Sequence, residues 1–392
     1  MKKDFIELLK KTSKNKLKKL KGDGILKIIK ITDVFENKFP QLKSRQAMFP
    51  YLTQKEDGKL LCSFTIGEAF ESVDGATHIA ISEDLGKTWS NPIKVIDKSQ
   101  EKIPTTDTCK ITNLGGDKFV CLGYAFLRED ESLPEGNPQT GGLLDDFVFY
   151  TLSNDGGKTW TGYNKIDTSW KNSTEASAPI TVLKDGTWVS PITGFPKWDG
   201  KMNGRICGRL LASTDEGKTW NDNVVCMEFD GDSTTCYEQR ICQLENGVIV
   251  NVAWNENVKT GERLDNHYTL SYDNGKTFTK PESTGIKGQA SHVMAINGNK
   301  LFALHSVRRD SDRPGLYGYV VNVANGKWNI ESEHLIWEPN TPIFKDESMA
   351  DIFAYLKFGQ PSSIKLSNGN IMVVFWHCEN GQYKVKSIEI EL

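Results

Sequence analysis

No run of apolar residues in this 392-residue chain approaches the roughly 18 needed to cross a bilayer as a helix, so no integral membrane segment is expected. Excess positive charge is missing too. Lys and Arg number 48 against 51 Asp and Glu, a net charge of -3, which excludes the broadly basic surface of a nucleic-acid binder. The eight cysteines form no CxxC pair, and the six histidines show no HxH or HxxxH spacing, so the patterns of a metal site are absent. Phosphate-cradling glycine loops and dinucleotide fingerprints are also missing, and no cofactor is expected. Residues 1–23 are basic but carry no continuous apolar segment and no small-residue cleavage site. They do not read as a secretory signal, so a cytoplasmic location with reduced thiols is the expectation. Phe5, Ile6, Leu8, Leu9, Leu17 and Leu20 can line one face of a short helical arm over that stretch.

What the sequence has in abundance is repetition. SEDLGKTW (Ser82 to Trp89), SNDGGKTW (Ser153 to Trp160), STDEGKTW (Ser213 to Trp220) and SYDNGKTF (Ser271 to Phe278) share one pattern, S-x-D-x-G-K-T-aromatic. The Asp side chain can bond the backbone N–H groups of its own turn, and Gly supplies a backbone angle that other residues resist. A worn fifth copy lies around Gly326 to Trp328.

A second repeat alternates with the first: an apolar strand, a tight turn, and another apolar strand. Six such hairpins have turns at Gly58, Asp117, Gly186, Gly247, Gly298 and Gly369, with DG, GD, NG or GN dipeptides that favour hairpins. Six hairpins, most followed by an Asp-containing turn, make six four-stranded sheets. The expectation is an all-β, six-bladed β-propeller over residues 24–392. GILKIIKITDVFE near the start and YKVKSIEIEL at the end are expected to share the sixth sheet and close the ring.

The S-x-D-x-G-x-T-W turn resembles the Asp-box, or bacterial neuraminidase repeat. Four good copies between such hairpins resemble the sialidase superfamily over nearly the whole chain past the N-terminal arm. The Asp-boxes themselves, Asp84, Asp155, Asp215 and Asp273, are expected to be structural turns on the rim away from the mouth.

The resemblance implies a mouth built from the starts of first strands, the ends of second strands and the loops that follow. Nine residues before the turn glycine stand Phe49, Ser177, Glu238, Gln289 and Gln360, with Asp107 nearby in the second blade and Glu175 two residues earlier in the third. Second-strand ends add Trp254, His305, Arg308, Arg309, Trp376 and His377, and His292 stands near the start of the fifth hairpin. A long insertion, about 127–146, follows the second hairpin and is expected to shape access to the mouth.

In a typical sialidase three arginines clamp the substrate carboxylate, a Tyr activated by a Glu is the nucleophile, and an Asp is the acid/base. Here Met48 holds the first arginine position, with Arg45 three residues upstream. The acid/base position falls near Asp74, with Glu71 as a rival. Glu238 matches the activating Glu, Trp254 replaces the second arginine, and Arg308 or Arg309 corresponds to the third. Gln360 stands where the tyrosine should open the sixth hairpin, and Tyr355 is the nearest phenol.

Three functions fit these residues. The first is a divergent sialidase-like exo-glycoside hydrolase on a terminal, acidic sugar, with Glu238 and Asp74 as catalytic carboxylates. Aromatics such as Trp198, Trp254 and Trp376 would stack on the sugar. The second is a non-catalytic glycan-binding or interaction propeller. The third is a lyase or isomerase on uronate-type sugars, which requires His292, His305 or His377 to converge with Tyr355 and an arginine.

Overall fold

The computed structural model describes residues 26–340 and 356–392; the expected N-terminal arm and Tyr355 lie outside them. Six sheets follow one another along the chain. Their first strands are Gln46–Gln54, Thr105–Gly115, the broken pair Ser173–Glu175 and Thr181–Val182, then Tyr237–Gln243, Ser291–Asn297 and Phe358–Lys365. The second strands are Leu60–Gly67, Lys118–Leu127, Trp188–Phe195, Ile249–Trp254, Lys300–Val307 and Ile371–Glu379. Every pairing within the blades is antiparallel.

Closure takes the expected form. Lys27–Phe35 pairs with Gln382–Glu391, from Lys27 opposite Glu391 to Phe35 opposite Val385, so the start of the described chain supplies the outer strand of the last blade. Pairing the two ends leaves no inner sheet edge open at the seam. Apolar side chains fill the spaces between neighbouring blades. Phe302, Leu304, Ile336, Phe375, Ile388 and Ile390 are buried between blades five and six. Leu60, Phe64, Leu52, Val374 and Val385 do the same across the seam between six and one.

The Asp-boxes are turns between third and fourth strands. Asp84 Oδ1 accepts from the N–H groups of Lys87 (3.0 Å) and Thr88 (2.8 Å) and from Ser82 Oγ, while Oδ2 accepts from Thr88 Oγ1 at 2.7 Å. Asp155, Asp215 and Asp273 repeat this pattern. These donors, from backbone and hydroxyl, hold all four carboxyls down at about 2.

Two local features differ from the sequence expectation. The first strand of blade three is interrupted between Ala176 and Ile180, where Pro179 can donate no ladder hydrogen bond. Blade four carries an extra ribbon after its second strand, Glu256–Asn257 paired with Glu262–Arg263. The insertion after blade two is tied to the neighbouring blade: Asn137 Nδ2 and Thr140 Oγ1 both donate to the Trp198 carbonyl.

Candidate functional site

The mouth is set by a repeated irregularity in the first strands. Pairing with the second strand slips between Met48 and Tyr51, between Tyr237 and Arg240, and between Gly359 and Ser362. At these slips Phe49, Glu238 and Gln360 have φ of 58°, 44° and 35°, and Ala290 in blade five has 66°. This is the left-handed region that costs an L-residue roughly 1–2 kcal/mol. Such bulges re-aim side chains and are common beside active sites. Pro50 and Pro361 follow two of them, at positions where the unpaired backbone needs no N–H.

The bulges bring residues from separate blades together. Glu238 accepts from Trp254 Nε1 at 2.8 Å on one carboxyl oxygen and from Gln360 Nε2 on the other. Trp376 Nε1 donates in turn to Gln360 Oε1. Each carboxyl oxygen of Glu238 thus has one N–H donor from a different element. Glu175 reaches the same place from blade three: its Oε2 accepts from the Glu238 N–H at 3.4 Å. Burial and then the Glu238 charge push the Glu175 carboxyl well above the usual range, against the opposing pull of Ser177 and Arg240.

Around this pair the mouth is aromatic. Phe195 stacks on Tyr237 at 5.0 Å and 10°, and Tyr237 meets Trp254 at 4.6 Å. On the opposite flank Phe49 and Phe70 pack edge to face at 5.4 Å. Phe49, Phe70, Tyr124, Thr108 and Glu135 line one concave pocket there. The Tyr124 phenol is raised well above its ordinary value, first by burial and then by the charges of Glu175, Glu135 and Glu238.

Two charged residues beneath the mouth were missed in the sequence. Lys110 and Arg240 are each about 2% exposed. Lys110 Nζ donates to the Phe49 carbonyl at 2.5 Å, and an Arg240 terminal nitrogen donates to Ser177 Oγ (3.1 Å) and to the Gln239 carbonyl (2.8 Å). Burial, then the Arg240 charge, lowers the Lys110 ammonium to about 7. The available signal was a single cation inside an apolar strand run, TCKITN and EQRICQ.

The other candidates fall elsewhere. Asp74 is exposed and ties its own loop, accepting from the Glu68 N–H at 3.0 Å; none of its contacts joins it to Glu238. Arg45 is exposed and acts on His78. Asp107 is buried, but it pairs with Lys98 at 2.7 Å and accepts from the Thr77 N–H. Burial raises its carboxyl, yet the Lys98 charge and hydrogen bonds win and lower it. Arg308 ties blade five to six through the Gln289 and Phe358 carbonyls, and the Gln289 side chain accepts from the Arg308 N–H. Arg309 is half-buried beside it.

The histidines do not converge. His292 packs on Tyr51 at 5.7 Å near the axis, His305 of blade five bonds Asn266 of blade four, and His377 of blade six packs on Trp337 of blade five. Burial lowers all three, to about 3, 3 and 4. Trp376 is fully buried and presents no face for a sugar, and Trp198 serves through its backbone carbonyl. Among the described residues no group of three or more His, Cys, Asp or Glu is placed to hold a metal, and no helix is long and apolar enough to cross a membrane.

The architecture is therefore a six-bladed propeller with the fold of sialidases. Residues 136–373 match the family model of the BNR repeat-like domain, and the chain belongs to that family. Solved structures share the fold at low identity. A Dyadobacter fermentans protein of unknown function aligns at 18% identity and a TM-score of 0.71, covering 94% of this chain and 99% of that one. The NanB sialidase of Streptococcus pneumoniae aligns at 13% and 0.62, over 92% of this chain and 70% of that one. The Trypanosoma rangeli sialidase aligns at 15% and 0.58, covering 88% of this chain but only 55% of that one.

Proposed function

We propose that the protein is an exo-acting glycoside hydrolase that removes a terminal, acidic sugar, with Glu175 as general acid and Glu238 as its partner carboxylate. The observation that carries this reading is the Glu175–Glu238 pair, two carboxyls from adjacent blades in unlike environments at one mouth. Environments that push two carboxyls apart in acidity mark an acid and a base. Glu175, buried and raised, holds the proton that a departing glycosidic oxygen needs. Glu238, aligned by Trp254 and Gln360, supplies the negative oxygen that activates water or meets the anomeric carbon. Tyr237 and Trp254 offer the flat faces on which a sugar ring packs, and Lys110 and Arg240 under the mouth favour a substrate carrying negative charge. Asp74 has no part in this scheme.

The sialidases of similar fold support the choice of sugar chemistry, while Met48, Trp254 and Gln360 at the family's arginine and tyrosine positions argue for a different substrate grip. Those same replacements favour a second reading, a propeller that binds a glycan without cleaving it. A panel of chromogenic sialosides and uronides separates the two. Glu175→Gln and Glu238→Gln should each lose roughly 10²–10⁴ in kcat/KM. The Glu175→Gln loss should shrink on nitrophenyl leaving groups, which need no proton. Binding of the same sugars without turnover by the wild type would favour the second reading, and turnover untouched by both substitutions would refute the assignment.

A further inference from the structure

On the face of blade six that meets blade five, the second strand presents Ile371, Val373, Phe375 and then His377, every second residue of the pleat. Opposite the first three, the third strand presents Ile390, Ile388 and then Lys386. Each apolar series thus ends in a polar residue, and there the cleft between the blades opens into a cavity of about 140 Å³. Ile31 of the outer strand lines it with these two residues, and Trp337, Pro339 and Asn340 line it from the end of blade five. Trp376, one residue before His377, turns the other way and donates to Gln360 at the mouth. Cavity and mouth therefore lie on opposite faces of one strand.

His377 is 3% exposed, and its Nε2 is buried with no hydrogen-bond partner. In one tautomer of the neutral ring that nitrogen must donate, in the other it must accept, and either is costly to leave unmet. A hydroxyl can serve both. The charges at the cavity are balanced within the protein: Lys386 pairs with Asp33 at 2.8 Å, and Lys384 with Glu36 at 2.5 Å and Glu379 at 3.5 Å. Nothing there calls for a charged ligand. Trp337 is half-buried, with its ring 5.5 Å from that of His377, and with Ile31 and Pro339 it makes an apolar wall. His377, Asn340 and Glu379 supply hydrogen-bonding groups beside it, the last two joined at 3.4 Å. An apolar wall edged by a few polar groups suits a ring that has a C–H face and hydroxyls around its rim.

We propose that the cleft between blades five and six binds one neutral pyranose unit, with its C–H face on Trp337 and a hydroxyl on His377 Nε2. The cavity volume corresponds to about ten water molecules, comparable with the roughly dozen heavy atoms of a hexose. The site is separate from the carboxyl pair and stands whether or not the mouth cleaves its substrate.

The probes are the methyl glycosides of galactose, glucose, mannose and N-acetylglucosamine. Soaked into crystals of the full chain, at least one should give ring-shaped density against Trp337. In solution, ligand-observed NMR should show saturable binding of the same glycoside. His377→Phe keeps a ring in place but removes the hydrogen bond, and should weaken that binding roughly five- to tenfold. Ile31→Arg changes a residue that is 50% exposed, so it should block the cleft without disturbing the core. Glu238→Gln at the mouth should leave the affinity as it is in the wild type. Crystals with no density in the cleft for any of the glycosides would overturn the proposal. So would binding that survives both His377→Phe and Ile31→Arg, or binding that is lost in Glu238→Gln.

Discussion

Replacing Arg128 by Met tests how the mouth insertion is held. Arg128 is 2% exposed, and one guanidinium links four partners. One terminal nitrogen donates to the Glu71 carbonyl (3.1 Å), Thr106 Oγ1 (3.1 Å) and Glu135 Oε1 (3.4 Å), and the other to the Leu133 carbonyl at 2.8 Å. The insertion and the blade-one loop therefore share a single buried cation. Removing one partner of a buried pair costs about 3–5 kcal/mol when a bare charge is left behind. Here the remaining acid can stay neutral, because burial and the Glu71 charge push Glu135 up to about 8. The loss then falls near the lower end, about 3 kcal/mol, most of it in hydrogen bonds to the guanidinium. Unfolding entropy of about 2.1 cal/mol/K per residue over 392 residues converts this to a fall in Tm of roughly 4 °C. Differential scanning calorimetry at pH 6 reads it directly. Arg128→Lys should fall between the two, since a point charge cannot reach four fixed acceptors. A Tm within about 1 °C of wild type for Arg128→Met would refute the idea that this cation organises the insertion.

Two further outcomes follow from the same region and from the bulges. Glu135 has a folded value above its ordinary 4.5, so its contribution to stability is complete below that range and is lost as pH rises through about 8. Glu135→Gln should therefore gain on wild type between pH 5 and pH 9, read as urea midpoints; parallel pH curves for the two proteins would contradict it. At Glu238, φ of 44° penalises any β-carbon, so Glu238→Gly should be more stable than Glu238→Ala by about 1 kcal/mol although both lose the same carboxylate. Equal denaturation midpoints would mean that the bulge carries no strain.

How far the sequence discloses the molecule depends on the physics each part uses. The Asp-boxes, hairpin turns and terminal clasp rest on local chemistry, an Asp over its own turn or a strand of alternating pattern, and these were legible. The mouth positions of Phe49, Glu238 and Gln360 were legible as well, because the distance from turn to bulge is constant within a strand. What a second blade contributes was not. Glu175 joins Glu238 only through the angle between two sheets, and no spacing records that. Asp107 and Asp74 are carboxylates at suitable offsets, but Lys98 claims the first and the Glu68 N–H the second. His292, His305 and His377 share neighbouring blades yet take different depths and faces, which a count along the chain cannot separate.

The bulges also explain how this fold can keep its shape while the side chains at its mouth vary. A slipped strand turns a carbonyl inward, where an unpaired oxygen would be costly. Each such oxygen meets a buried cation: Phe49 with Lys110, Gln239 with Arg240, and Gln289 and Phe358 with Arg308. The slip also resets the alternation of the pleat, so one strand can present Glu238 to the mouth and Arg240 to the axis two residues later. The backbone of the mouth is thus held from below by buried cations. A change of side chain at Met48 or Gln360 would leave that support in place, so the chemistry at the mouth can change without a change in the ring that presents it.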